Sequence, residues 1–459
     1  MGFLRKRLDE VHLTSSARLH VVEFNTPFRV GCSEVEFLRV SHSIPDAAAI
    51  VLRTPLGTIV HSGDFKFDLT PVNEPPADFA RLSAVGDRGV LAFLCESTNA
   101  LKPGHVMSEC AIGETVRDLI RDANGRVIVS TFSSLLNRIA QILVSAQELG
   151  RKVYVSGRSM EENISIAEQL GYLRIPRGLV RRLSQGIDKL SDREVLILTT
   201  GAQGEEMAGL ARIGLGTHQQ VAVKPGDTVI LSSNPIIGNE RAIATVINNL
   251  HLKGARVVTS ATLDLHTTGH AHQKDLLLMH RLIRAKHVIP CHGEPYMRSA
   301  HAELLKSIGY EDQTVHLLSN GEVLEFERGG GARKSKQRVS ALDVIIDGRG
   351  ASSEGERVLA DRKQLSSSGM LVVVLKAYSN SHRLASGPDV ITRGLFYGSE
   401  RLEIQAEVAR TARLAYEEAL GRGGAERADL KKRVIEAVHR YFRRKLNREP
   451  MIVPIIVEV

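Results

Sequence analysis

The chain has no tryptophan, and aromatic side chains make up only 4% of its 459 residues. So sparse an aromatic complement argues against a sheet of base-stacking rings as a means of holding nucleic acid. Cysteine is scarce too. Cys32, Cys95, Cys110 and Cys291 show no CxxC spacing, and three of them read as strand-like and apolar. That pattern implies reduced thiols in a cytoplasmic protein rather than a disulfide framework. The longest apolar runs, Ala47–Leu52 and Ile452–Val457, are far too short to span a bilayer, so no membrane partner is expected. Met1–Glu10 carries charges with no apolar stretch behind it, unlike a secretory signal. No internal repeat is visible.

What is present is ordinary in bulk and uneven in detail. A hydrophobic fraction of 43% and a charged fraction of 24% suit a globular protein, and the length allows two to three domains with cores of their own. The net charge of +8 is concentrated in two places. Arg328–Arg338 has five cations and no acid around three consecutive glycines, the composition of a flexible basic linker. Lys431–Arg448 has eight cations against Glu436. Such clusters suit a polyanion, because neutralised phosphates release counterions; a solvated face on a basic protein is the alternative.

Three metal-type side chains stand at strand ends. His42 closes Glu36–Ser41, Asp64 closes Thr58–Ser62, and His292 closes Lys286–Pro290. With Ala48–Thr54 between the first two, the strands read as a meander, which puts His42 and Asp64 on one sheet edge. A carboxylate can bridge two cations and imidazole is a common zinc ligand. His12 and His20, upstream, have no carboxylate at ligand spacing. Three ligands do not complete a dinuclear site.

From Gly125 the pattern turns to alternation. Strands at Arg126–Thr131, Lys152–Ser156, Glu194–Thr200 and Asp227–Ser232 precede helices at Ser134–Leu149, Met160–Leu170, Glu205–Ile213 and Gly238–Leu252. That is the pattern of a parallel, Rossmann-like sheet. Ser159 with Glu162 reads as a capping box. The fold class is therefore α/β: a first domain begun over residues 1–107, interrupted by an inserted domain at 108–252, and resumed over 253–327. A linker at 328–339 and an α+β domain at 340–459 follow, the latter with strands Leu342–Ile346, Leu371–Tyr378 and Ile452–Val457 and helices Arg401–Leu420 and Ala425–Lys445.

The segments Ser41–Asp46, His61–Asp68 and Pro290–Glu294 resemble the third, fourth and last metal motifs of ribonuclease J, a β-CASP nuclease family of the metallo-β-lactamase superfamily. His266–His270 resembles its phosphate-and-acid motif. The resemblance covers nearly the whole chain, but the signature HxHxDH motif and the strands before it are not in it. It implies a metallo-β-lactamase fold lacking roughly its first hundred residues, an inserted β-CASP domain, and a C-terminal domain that self-associates into a homodimer or homotetramer.

By that resemblance His42 and His292 would serve different metals of a two-zinc site, with Asp64 bridging. His270 would protonate or stabilise the leaving oxygen, and His266, Thr267, Thr268 and Gly269 would form a turn facing the phosphate. Glu96 would orient a histidine. Ser134 matches a hydroxyl in a pocket for the RNA 5′ phosphate, although Leu135 and Asn137 stand where the family usually has Asn and His. The implied activity is hydrolysis of single-stranded RNA from the 5′ end, with internal cleavage also open. With so few ligands this chain is expected to be inactive alone, and a non-catalytic RNA-binding or assembly subunit is the alternative.

Overall fold

Two sheets dominate the computed structural model, which describes the chain except residues 237, 342–344, 348–349, 353–354, 397–399 and 422–425. Met1–Val339 forms one compact unit and Ser340–Val459 another. In the first unit, β1 (Phe28–Val30), β2 (Ser33–Arg39), β3 (Ala48–Thr54) and β4 (Gly57–His61) make an antiparallel meander, and β5 (Ala92–Glu96) lies parallel to β4. The second sheet holds β6 (Val127–Ser130), β7 (Lys152–Ser156), β8 (Val180–Arg182), β9 (Val195–Thr199), β10 (Thr228–Leu231) and β11 (Arg256–Thr259). All are parallel, in the order β11-β10-β6-β9-β7-β8. Then β12 (His287–Cys291) returns to pair in parallel with β5. Because β2 and β4 point the same way and β12 runs parallel to β5, the residues after all three strands meet at one edge.

Helices cover these sheets: α1 (Gly2–Glu10), α2 (Phe79–Asp87), α3 (Glu109–Asp122), α4 (Leu136–Glu148), α5 (Arg158–Gln169), α6 (Gly209–Leu215), α7 (Glu240–Leu252), α8 (Gln273–Ile283) and α9 (Pro295–Lys306). Strands β6, β9 and β10 are buried along their whole length, as expected for a parallel sheet covered on both faces. Ser108 accepts from the Cys110 amide and starts α3, the first helix of the inserted domain.

Several local expectations are corrected. The crossover through α7 returns β11 beside β10, so the inserted sheet runs to Thr259 rather than ending at Leu252; a right-handed βαβ unit brings the chain back to its own sheet. Arg328–Arg338 is not a flexible linker. Gly329 and Gly330 take φ of +96° and +80° and turn β13 (Glu322–Phe326) onto β14 (Ala332–Arg338) as a hairpin. Its cations Arg333, Lys334 and Arg338 pair with Glu322, Glu325 and Glu327. Ser159 caps nothing, because α5 already begins after Gly157 and Glu162 pairs with Arg158 and Lys6. The chain stays in turns through Glu205–Ala208, so α6 starts only at Gly209. Cys32 sits in an exposed turn and Cys110 on the exposed side of α3, which leaves only Cys95 and Cys291 in strands.

The second unit has β15 (Ile345–Asp347), β16 (Gly350–Ser352), α10 (Gly355–Ser368), β17 (Met370–Ala377), β18 (Asp389–Arg393), α11 (Glu400–Gly421), α12 (Arg427–Leu446) and β19 (Met451–Glu458). Its main sheet has the order β18-β17-β19. Residues 342–344 of the expected first strand, and Ala425 of the expected last helix, lie outside the described residues. Val408, Val434 and Val438 are consumed by this unit's own core and Tyr441 packs against it. Leu402 and Leu414, on α11, stay largely exposed.

One buried cation ties the two sheets of the first unit together. Arg138, on α4, is fully buried. Its Nε donates to Glu109 at 2.7 Å, and its Nη1 donates to the Leu265 carbonyl at 2.6 Å and to Ser232. The Glu109 amide in turn donates to Asp68 at 2.8 Å, just past Asp64. Removing one partner of a buried pair leaves an uncompensated charge, at a cost of about 3–5 kcal/mol. Arg138→Met is therefore expected to destabilise the protein by that order in denaturant titration, with Arg138→Met/Glu109→Leu recovering part of the loss. A single variant as stable as the parent would remove Arg138 from this role.

Candidate metal and phosphate site

The edge beyond β2, β4 and β12 collects a carboxylate and several imidazoles. Asp64 places Oδ1 3.5 Å from His292 Nε2 and Oδ2 3.9 Å from His42 Nε2, so each oxygen faces a different histidine. The His42 and Asp64 side chains are 14% and 40% exposed and that of His292 is 52% exposed, which leaves the cluster open to a large substrate. His292 follows β12 with φ +46°, a left-handed conformation that is uncommon for a residue with a Cβ and tends to occur where a site imposes it. His42 Nδ1 lies 2.7 Å from the Gly269 carbonyl. As donor there, the ring keeps the Nε2 lone pair on the Asp64 side, the orientation usual for a metal-binding histidine. Ser43 Oγ reaches the same Nε2 at 3.1 Å.

The loop before α8 supplies the other side. His270 Nδ1 is 2.6 Å from Glu96 Oε2, while Glu96 Oε1 accepts from the Phe65 amide at 2.5 Å. Glu96 thus joins the end of β5, the turn after Asp64 and the loop histidine. The His270 ring centroid lies 5.0 Å from that of His42 and 5.5 Å from that of His292. His42, Asp64 and His270 each offer a ligand atom within 4.8 Å of the other two. Gly269 has no room for a side chain, since a Cβ there would lie 2.5 Å from the His42 ring.

Not every residue of the loop faces a ligand. Thr267 is buried and its hydroxyl donates to the Met107 carbonyl at 2.7 Å; it anchors the loop, which removes that hydroxyl from the phosphate contact expected of it. Thr268 Oγ1 accepts from Asn99 Nδ2 at 3.1 Å and from the His270 amide at 3.2 Å. Ser134 stands apart from the metal-type cluster. It is exposed and lines a cavity of about 1370 Å³ with Ser133, Ile44, Pro45 and residues of α1 and α5. Leu135 is buried, and Asn137 donates to Glu74 at 3.1 Å.

Charge sorts the histidines by state. Burial pulls the His42 imidazole below its ordinary range, against the opposing pull of the Gly269 carbonyl, so the ring is neutral and available as a ligand. His266 is pushed down to about 3 by burial, then by the cations Arg138, Lys66 and Lys102. It is neutral at any physiological pH, in surroundings that favour an anion. For His270 burial acts downward, but the hydrogen bond and charge of Glu96 prevail and the pKa is raised. Glu74 is pushed up to about 7, chiefly by burial.

Sequence reasoning passed over His61 and Asn99. The Gly63 amide donates to His61 Nδ1 at 2.9 Å, and the ring senses the charges of both Asp64 and His292. Asn99 also donates to the His270 carbonyl at 3.1 Å. His61 lies inside a segment that carried the resemblance and Asn99 three residues past Glu96, but neither stands first after a strand.

A pH test follows from the Glu96–His270 contact. A histidine whose folded pKa exceeds its unfolded value of about 6.5 adds stability below that pH and loses it as pH rises through the folded value. Glu96→Gln removes the charge that opposes burial. In a chelator-treated sample, NMR titration should show the His270 pKa falling below its parent value, with the loss of stability above pH ~6.5 flattened. An unchanged titration would sever Glu96 from His270.

Comparison with known proteins agrees with this geometry. Residues 124–250 match the family described as "Ribonuclease J, beta-CASP domain", residues 257–317 the "Zn-dependent metallo-hydrolase RNA specificity domain", and residues 357–459 the "Ribonuclease J C-terminal domain". Ribonuclease J 1 of Streptococcus pyogenes is 36% identical over all of this chain and 81% of its own length. Ribonuclease J2 of Bacillus subtilis is 34% identical over all of this chain and 82% of its own length. Ribonuclease J of Thermus thermophilus is 35% identical over all of this chain and 78% of its own length. A zinc-type donor set at the edge of one sheet, a parallel sheet inserted beside it, and these identities along the full chain have one meaning: the chain belongs to the ribonuclease J family of RNA-specific, zinc-dependent metallo-hydrolases.

Proposed function

We propose that this chain carries the substrate-handling part of a 5′-to-3′ exoribonuclease with some internal cleavage, acting on single-stranded RNA in the cytoplasm. The observation that carries the reading is Asp64, whose two oxygens face His42 and His292 separately. That donor set fits a pair of zinc ions sharing one carboxylate, with His42 and His292 on opposite sides. Zinc bound there would supply an activated water and a clamp on the scissile phosphate. His270, held by Glu96 and kept protonated to higher pH, would deliver a proton from Nε2 to the leaving oxygen. Neutral His266, Thr268 and Gly269 shape the turn that meets the phosphate, and Ser134 serves the cavity that would receive a 5′ end.

Two zinc ions with four to five ligands each need about seven protein ligands. His42, Asp64 and His292 supply three, and this count favours a second reading in which the 459 residues alone bind RNA without turning it over. With labelled RNA and added zinc we expect negligible cleavage by this chain, and cleavage once a polypeptide bearing the HxHxDH motif is supplied in trans. Strong chelator-sensitive cleavage by the chain alone, abolished in His292→Ala, would overturn the ligand count and favour a self-sufficient enzyme.

RNA binding is expected from cations rather than stacking. Affinity for single-stranded RNA should be measurable at low salt and fall steeply as salt rises. Affinity that is absent at low salt, or indifferent to salt, would refute a phosphate grip. We further propose a homodimer or homotetramer through residues 340–459, supported by the exposed Leu402, Leu414, Ile391, Ile455 and Val457. A chain that sediments as a monomer at micromolar concentration would rule that out.

A further inference from the structure

A second cluster of metal-type side chains lies in the core of the first sheet, away from the strand-end site. Cys95 on β5, His280 on α8 and His301 on α9 are all buried and offer ligand atoms within 4.8 Å of one another. They come from three separate elements, β5 lying far from α8 and α9 in sequence. His280 Nε2 and His301 Nε2 are 2.9 Å apart, and His301 Nδ1 is 3.0 Å from Ser97 Oγ. The Tyr310 ring borders His280 at a centroid distance of 5.9 Å.

As a hydrogen-bonded chain this cluster does not close. If the Ser97 hydroxyl donates to His301 and His301 donates to His280, the His280 Nδ1–H is left over; if the direction is reversed, a lone pair is. In either case His280 Nδ1 is buried with no partner among the described residues. A cation held by the two Nε2 atoms would leave that Nδ1 as it is, so what points to a ligand is the donor set itself. A thiol and two imidazoles converging in the buried core supply three donors of the sulfur–nitrogen kind zinc selects, with the fourth position of a tetrahedron left to a water or hydroxide. Tetrahedral coordination at bond lengths of 2.0–2.1 Å would hold the two nitrogens about 3.3 Å apart, which asks for a side-chain shift of a few tenths of an ångström.

We propose that Cys95, His280 and His301 bind a single thiophilic divalent cation, of zinc type, in a structural role. Binding exchanges the Cys95 S–H proton, released to solvent, for a sulfur–metal bond. Burial holds that thiol protonated when no cation is present. The position explains what such an ion does. Cys95 precedes Glu96 and, by strand alternation, points to the opposite face of β5. Helix α8 follows the loop of His270, and α9 follows His292. One ion would fasten the three elements that present Glu96, His270 and His292.

Cobalt titration of the demetallated full chain tests this, because a thiolate–cobalt bond absorbs intensely in the near ultraviolet and the strand-end cluster His42, Asp64, His292 contains no sulfur. The expected result is one equivalent of Co²⁺ bound with that band. The band should be retained in His42→Ala/His292→Ala and in Cys291→Ala, and lost in Cys95→Ala. X-ray absorption of the zinc-loaded parent should count one sulfur among nitrogen ligands, a readout that needs no variant. No band and no sulfur in the parent, or a band that survives Cys95→Ala, would overturn the proposal. Because the signal requires sulfur and not turnover, it stands or falls separately from the ribonuclease reading.

Discussion

The buried guanidinium of Arg138 is the constraint on which the site depends. An arginine with no solvent contact is costly unless its charge is matched; here Glu109 matches the charge, and Glu109, Ser232 and the Leu265 carbonyl take the Nε and Nη1 donors. Those partners belong to the start of α3, the end of β10 and the loop that carries His266 and His270. Through the Glu109 amide the link reaches Asp68, four residues beyond Asp64. The inserted parallel sheet is therefore joined to the metal-type edge by charge in the core. Burial first, and then this same cation, hold His266 neutral, so the element that fixes the loop also contributes to the electrical character of its first histidine.

The gathering of side chains at one edge follows from strand direction alone. An antiparallel meander returns every second strand to the same side, and parallel pairing of β4, β5 and β12 extends that side across the sheet. His42, Asp64, Glu96 and His292 each sit just past, or at, a carboxyl end. This much was legible, because alternation of apolar residues gives strand position and a meander gives direction. The inserted sheet was legible for a related reason: fully buried strands such as Val195–Thr199 read as unbroken apolar runs between helical periods.

What escaped the sequence depended on contacts between distant segments. Thr267 and Thr268 look equivalent in the chain, yet one hydroxyl is turned to Met107 and the other to Asn99. No local pattern separates them. Strand β11 is short and partly exposed, and only its pairing with β10 assigns it to the inserted sheet. Gly157 starts α5 where Ser159 has the better capping chemistry, because a side chain at 157 would strike Thr200 and the glycine φ of +116° sets the entry angle. His61 was hidden by the rule that favoured residues beyond strand ends.

The hairpin of β13 and β14 has a consequence for how this protein feels salt. Its segment 328–338 contributes five positive charges to the formal total, and a count from composition would credit all five with displacing ions from a nucleic acid. Arg333, Lys334 and Arg338 already face carboxylates on the neighbouring strand. A charge neutralised within the fold has few condensed ions to liberate from a polyanion unless it first abandons its partner. The ionic-strength exponent should accordingly track the surplus of cations over their internal counterions rather than the pI. By that reckoning, the hairpin behaves towards a phosphate chain as a surface carrying nearer two charges than five.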